Sequence, residues 1–272
     1  MSDGRSRTAL VTGASSGIGA AIATAFGKLG WAVALGARRL DGLEQVAARV
    51  EAAGGRAFVQ PLDVASAESI GAFYGASQAA LGPFDVVVSN AGTCVPGLLH
   101  EVADEDLRLE VETNLLGPLW LARRAVESMR ERDRGGDLVF IGSENAVAPR
   151  TFQVGYSATK AGLEVMARAL AMELEGTGIR ASVVRPGPTA SEFGRNWPAE
   201  ILQRMLRSWQ YWGLQRNLAM IPAEAVADAV VGLVTRPAGE QFSLVQVTPE
   251  GPAGSNRAAI GDLADPTPGG GS

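Results

Sequence analysis

The sequence predicts a single-domain α/β fold, a doubly wound parallel sheet of about seven strands with helices on both faces. Short apolar runs alternate with helix-period segments from Thr8 to Val247. That alternation is the pattern of a parallel sheet with right-handed helical crossovers. The connections are short and leave no room for a second domain. A glycine turn follows the first apolar run at once and opens into a helix, the context that a dinucleotide-binding motif requires.

Thr8 to Val11 reads as the first strand, Thr12-Gly13-Ala14-Ser15-Ser16-Gly17-Ile18-Gly19 as the turn, and Ala20 to Leu29 as the helix. Glycines there let the backbone approach a pyrophosphate, and the helix N-terminus offers N–H groups to it. The spacing Gly-x3-Gly-x-Gly differs from the common G-x-G-x-x-G. Trp31 to Gly36 is the next strand, running into Ala37-Arg38-Arg39. An acid near this point would hold a ribose 2′-OH. Two arginines with no carboxylate suit a 2′-phosphate, so Arg38 and Arg39 favour NADP(H) over NAD(H). The alternative is two solvated arginines at a helix start.

Leu40 to Ala53 is helical, with an apolar stripe at Leu43, Val46 and Val50. Ala57 to Leu62 is a strand ending at Asp63-Val64, where the acid can accept from an adenine amino group, cap the helix Ser66 to Ala80, or both. Asp85 to Val88 is a buried strand ending at Ser89-Asn90-Ala91-Gly92, whose small residues admit a flat ligand. A helical region starts at Glu101. Val111 to Met129 reads as a long helix in which Asn114 needs partners and Pro118 disturbs the hydrogen-bond ladder. Leu138 to Ile141 is a strand followed by Gly142-Ser143. Gln153 to Leu174 is a helix, Ile179 to Val184 a strand broken by Arg185 to Thr189, Pro222 to Val234 a helix and Phe242 to Val247 the last strand. The domain extends over 1–250, with 251–272 a loose Gly/Pro-rich tail.

Composition narrows the function. The 272 residues are 46% apolar with a formal net charge of −5. No basic block suggests a nucleic-acid partner, and no apolar run of ~18 residues suggests a membrane span. Cys94 is the only cysteine and His100 the only histidine. No intrachain disulfide can form, no typical zinc site can be built, and both residues read as structural. A polar N-terminus without a signal peptide fits a cytoplasmic protein.

Tyr156 and Lys160, at (i, i+4), share one helix face. A neighbouring ammonium favours phenolate and lowers a tyrosine pKa from ~10, making a group that gives a proton to a carbonyl or takes one from an alcohol. Such a pair alone is usually only a surface contact.

Together, Thr12-Gly13-x3-Gly17-x-Gly19, Asn90-Ala91-Gly92, Asn114, Ser143, Tyr156-x3-Lys160 and Pro186-Gly187 occur in the order found in the short-chain dehydrogenase/reductase family, which the chain resembles from residue 8 to about 190. The resemblance implies a Rossmann-like fold and a catalytic set of Asn114, Ser143, Tyr156 and Lys160. Tyr156 would be the general acid/base, and Ser143 would bond the substrate oxygen. Lys160 would lower the tyrosine pKa and hold the nicotinamide ribose. Asn114 would bind a water linking Lys160 to solvent. It implies cofactor contacts from Gly13, Ser15, Ser16, Gly17, Ile18, Gly19, Asp63, Val64, Asn90, Ala91, Gly92, Pro186, Gly187 and Thr189. It further implies a substrate-covering segment at 190–220 and a homo-oligomer, a dimer or tetramer, built through the two long helices. Ser89, where the family often has Asn, and Glu144 and Asn145, after Ser143, depart from its usual pattern. The expected activity is interconversion of a small-molecule ketone and a secondary alcohol. The aromatic residues from Phe193 to Trp212 suggest a bulky apolar substrate, or else core or subunit interface. The competing readings are a non-catalytic NADP-binding sensor or scaffold and a non-redox lyase or epimerase.

Overall fold

A computed structural model of the chain describes residues 6–132, 134–214 and 219–250. The expected Gly/Pro-rich tail and part of the expected covering segment lie outside them. The central sheet has seven parallel strands. They are β1 (Thr8–Thr12), β2 (Ala32–Ala37), β3 (Arg56–Pro61), β4 (Val86–Ser89), β5 (Gly136–Ile141), β6 (Ile179–Pro186) and β9 (Leu244–Val247), in the order β3-β2-β1-β4-β5-β6-β9. The direction of winding reverses between β1 and β4, which opens a crevice at their carboxyl ends.

The central strands β1, β2 and β4 are largely apolar and buried throughout because both faces of the sheet are covered there. Ala9, Val11, Val33, Leu35, Val86 and Val88 pack on α1 (Gly17–Lys28), α2 (Leu40–Ala52) and α8 (Ala223–Val234), through Ile22, Phe26, Leu43, Val46, Val226 and Val230. The alternate residues Leu10, Ala34, Val87, Leu138, Phe140 and Val183 face the other way. They meet α3 (Ala67–Leu81), α5 (Gly117–Glu131) and α6 (Val154–Glu173) through Ile70, Phe73, Leu121, Ala125, Leu163 and Ala167.

The expected disturbance near Asn114 is a π-helical turn, Glu112–Leu116, between α4 (Asp104–Val111) and α5. Pro118 cannot donate to the ladder, so the register widens just before it. Gly117 lets this segment press on the sheet side, since a Cβ there would lie 2.5 Å from the Val64 carbonyl.

Strand β6 continues through Arg185 to Pro186 rather than breaking at Val184, because Arg185 and Pro186 still register with Gln246 and Val247 of β9. The chain then forms two-residue strands, β7 (Thr189–Ala190) and β8 (Ile221–Pro222), paired in parallel, with α7 (Ala199–Tyr211) between them. Among the described residues, no helix is long and apolar enough to cross a membrane.

Candidate active site

The turn after β1 is drawn tightly against the turn after β4. Asn90 Nδ2 donates to the carbonyls of Thr12 (2.9 Å) and Gly13 (3.3 Å). Thr12 Oγ1 accepts from the backbone N–H of Asn90 (3.0 Å) and Ala91 (3.1 Å). Gly13 sits at φ +65°, and a Cβ there would lie 2.9 Å from Ala91 Cα. A Cβ on Gly19 would lie 2.4 Å from the Gly13 carbonyl. Side chains at these two places would break the turn. Thr12 opens the glycine motif but had no role assigned from the sequence; its hydroxyl joins the two loops. Its signal was a hydroxyl residue at the end of a strand just before the glycine.

Ser16 is the N-cap residue of α1, but its side chain caps no helix N–H, and the first turn holds no acid. The N–H groups at this helix start are therefore available to an anion. Arg39 leans over the same place: its Nη2 donates to Ser16 Oγ (2.9 Å) and Ser15 Oγ (3.4 Å). Arg38 is exposed beside it. The donor set of bare helix terminus, two hydroxyls and guanidinium fits a phosphate-bearing dinucleotide. Asp63 stands exposed beyond β3, its carboxylate accepting from Ala65 N (3.0 Å). It does not cap the following helix. Ser66 does, accepting from Ser69 N (3.2 Å), because Ser66 is the residue flanking α3. Val64 is buried.

The expected catalytic residues converge above the ends of β4 and β5. Ser143 follows β5 and is buried, its Oγ accepting from Asn145 N (3.2 Å). The Ser143 side chain neighbours the Tyr156 phenol and acts to lower its pKa. Lys160 is buried and donates from Nζ to the Ile141 carbonyl at 2.8 Å. Asn114 is fully buried. Its Oδ1 accepts from Thr93 N (2.8 Å), and its Nδ2 donates to Thr93 O (2.8 Å) and Thr159 Oγ1 (3.1 Å). Gly92 lies against both: a Cβ there would be 3.3 Å from Asn114 Oδ1 and 3.5 Å from Lys160 Nζ. After β6, Gly187 N donates to the Val247 carbonyl (2.8 Å) and Thr189 Oγ1 to the Gly187 carbonyl (2.9 Å). These bonds fix the Pro186-to-Thr189 corner.

The protonation states differ from the expectation. Burial pushes the Tyr156 phenol up to about 12, against the lowering effect of the Ser143 side chain. The Lys160 ammonium donates to Ile141 and lies 5.8 Å from the tyrosine ring centroid. Burial brings Lys160 itself down to about 8, with Glu164 working in the opposite direction. Glu110 and Cys94 form a second buried cluster nearby. Glu110 accepts from Val95 N at 2.8 Å, and burial raises both its carboxyl and the Cys94 thiol. Nothing in the sequence around Glu110 announces it, since α4 is otherwise a charged surface helix.

Glu144 and Asn145, the unusual pair after Ser143, are held by Arg150. Its Nη2 pairs with Glu144 Oε2 at 3.3 Å, and its Nη1 donates to Asn145 Oδ1 at 3.4 Å. Asn145 also donates to Gln153 Oε1 at 2.8 Å. These bonds fix the turn that presents Ser143. The aromatic set divides. Met205 and Trp209 pack in a core cluster with Phe152, Tyr211 and Trp212 are exposed, and Phe193 lies on Tyr156 with ring centroids 5.6 Å apart. Trp197 stands edge-on to Phe193 at 5.8 Å and donates to the Cys94 carbonyl at 3.1 Å.

Comparison with known proteins agrees with this arrangement. A short chain dehydrogenase of Pseudocercospora fijiensis is 34% identical over 243 residues, 85% of this chain and 76% of that protein. A metagenomic short-chain oxidoreductase solved with NADP is 32% identical, covers 89% of this chain and 97% of its own, and superposes with a TM-score of 0.75. The alcohol dehydrogenase of Thermococcus sibiricus, solved with 5-hydroxy-NADP, is 28% identical with a TM-score of 0.77, covering 89% and 96%. The family profile described as short chain dehydrogenase matches residues 7–201, and the chain belongs to that family.

Proposed function

We propose that the protein is an NADP(H)-dependent oxidoreductase that interconverts a ketone and a secondary alcohol, with Tyr156 as general acid/base. The observation that carries this reading is the closeness of Tyr156 to Ser143, beside buried Lys160 and Asn114, at the carboxyl ends of β4 and β5. Bound in this crevice, the nicotinamide would supply or accept the hydride. Tyr156, kept protonated by burial, is in the form that donates to a carbonyl oxygen. The Ser143 hydroxyl steadies that oxygen as charge grows on it. Lys160 and Asn114 are held in place beside the phenol by Ile141 and Thr93.

The preference for NADP(H) rests on Arg39 and Ser16 together, with Arg38 alongside, and on the absence of an acid at the end of β2. Two relatives solved with NADP-type ligands share the fold. Segment 190–220 covers the substrate, and Phe193 with Trp197 gives its described part an apolar lining next to Tyr156. That lining favours a bulky apolar ketone. Exposed Leu119 on α5 and Val154, Val165 and Met172 on α6 suit a homo-oligomeric contact. The test is a panel of ketones and secondary alcohols scored by the absorbance of reduced nicotinamide, with both cofactors. The reading expects turnover with NADPH or NADP⁺ above that with NADH or NAD⁺. Product formation at constant nicotinamide absorbance would point instead to a lyase or epimerase.

A further inference from the structure

Arg39 is not engaged by the serines alone. Its Nη2 also pairs with Glu192 Oε2 at 2.9 Å, across 153 positions of chain. Arg39 and Ser16, in that order, lower the Glu192 carboxyl pKa. The preceding residue lies on the glycine turn: a Cβ built on Gly17 would be 3.2 Å from Ser191 Cβ. The following residue, Phe193, lies on Tyr156. Three consecutive residues of the covering segment thus touch the phosphate-binding turn, the guanidinium beside it and the catalytic phenol.

We propose that Glu192 is a cofactor-selectivity residue whose carboxylate competes with the 2′-phosphate of NADP(H) for Arg39 and Ser16. This rests on the assignment of Arg39 to that phosphate. A carboxylate and a phosphate oxygen take the same donors, so the phosphate must exchange with Glu192 rather than add to it. The exchange is inexpensive because the pair is exposed, at 57% for Arg39 and 43% for Glu192, and such pairs are weak. NAD(H) has no 2′-phosphate to drive the exchange, so it leaves Glu192 on Arg39. The released carboxylate stays near Arg195, whose Nη1 is 3.9 Å from Glu192 Oε1. Because Phe193 is the next residue, the exchange also loosens the cover over Tyr156.

Calorimetric titration of the full-length protein with NADP⁺ and with NAD⁺ tests this in wild type, Glu192→Gln, Arg39→Ala and the double variant. Glu192→Gln is expected to tighten NADP⁺ about two- to fivefold, the range set by an exposed ion pair. NAD⁺ should be unchanged, and in the Arg39→Ala background the gain should vanish. An unchanged or weaker NADP⁺ affinity in Glu192→Gln, or an equal change for both cofactors, overturns the proposal while leaving the NADP(H) reading intact. Equal binding of both cofactors by wild type, with neither affected by Arg39→Ala, overturns the NADP(H) reading and this inference with it.

Discussion

Lys160 donates its ammonium to the backbone carbonyl of Ile141 at 2.8 Å. Ile141 ends β5 two residues before Ser143, and Lys160 lies one helical turn after Tyr156. That hydrogen bond ties the helix carrying the phenol to the end of the strand that leads into Ser143.

That ammonium is buried at a cost. Its folded-state pKa is about 8 against 10.5 when free. Below pH 8 the folded chain holds a desolvated charge, a penalty on the order of 3 kcal/mol. Between about pH 8 and 10.5 the unfolded chain binds more protons than the folded one, so stability rises with pH across that window. Chemical denaturation of wild type and Lys160→Met from pH 7 to 10.5 should show the wild type gaining on the variant as pH rises. A constant difference would contradict the burial argument.

Asn114 satisfies both backbone groups of Thr93 and the Thr159 hydroxyl from a fully buried position. Asn114→Ala leaves the Thr93 N–H and C=O without these partners, at about 1–3 kcal/mol. Urea unfolding should show that loss, and turnover should fall because Asn114 fixes Thr93, the residue after Gly92, and Thr159, the residue before Lys160.

Glycine positions give a paired test. Gly19→Ala places a methyl 2.4 Å from the Gly13 carbonyl, which must shift the turn. NADP⁺ affinity should fall by roughly tenfold or more, about 1.4 kcal/mol. Gly75→Ala, on α3 with no atom within 4 Å of the added carbon, should instead stabilise the fold by about 0.5–1 kcal/mol and leave affinity unchanged. Melting temperature and calorimetric titration separate the two.

Much of this was legible in the sequence. The inner strands β1, β2 and β4 were visible as apolar runs, because two covered faces demand one. Pro118 located the irregular turn at Glu112–Leu116. Residues that act through spacing along the chain, such as Tyr156 and Lys160, could be paired at sight. Contacts made across the fold could not. The Ile141 carbonyl, the Thr12 hydroxyl over Asn90 and the Arg39–Glu192 pair depend on which loops the sheet order makes neighbours. The lowering of the Tyr156 pKa was expected from proximity to Lys160. In the fold, burial of the phenol raises its pKa instead, and burial cannot be read from a four-residue spacing.

The most direct test of the central claim compares wild type with Tyr156→Phe, measuring nicotinamide turnover on a ketone accepted by the wild type and NADP⁺ affinity by titration. The account predicts a loss of turnover of at least about 10²-fold with affinity unchanged. Turnover within a fewfold of wild type in the phenylalanine variant would contradict it.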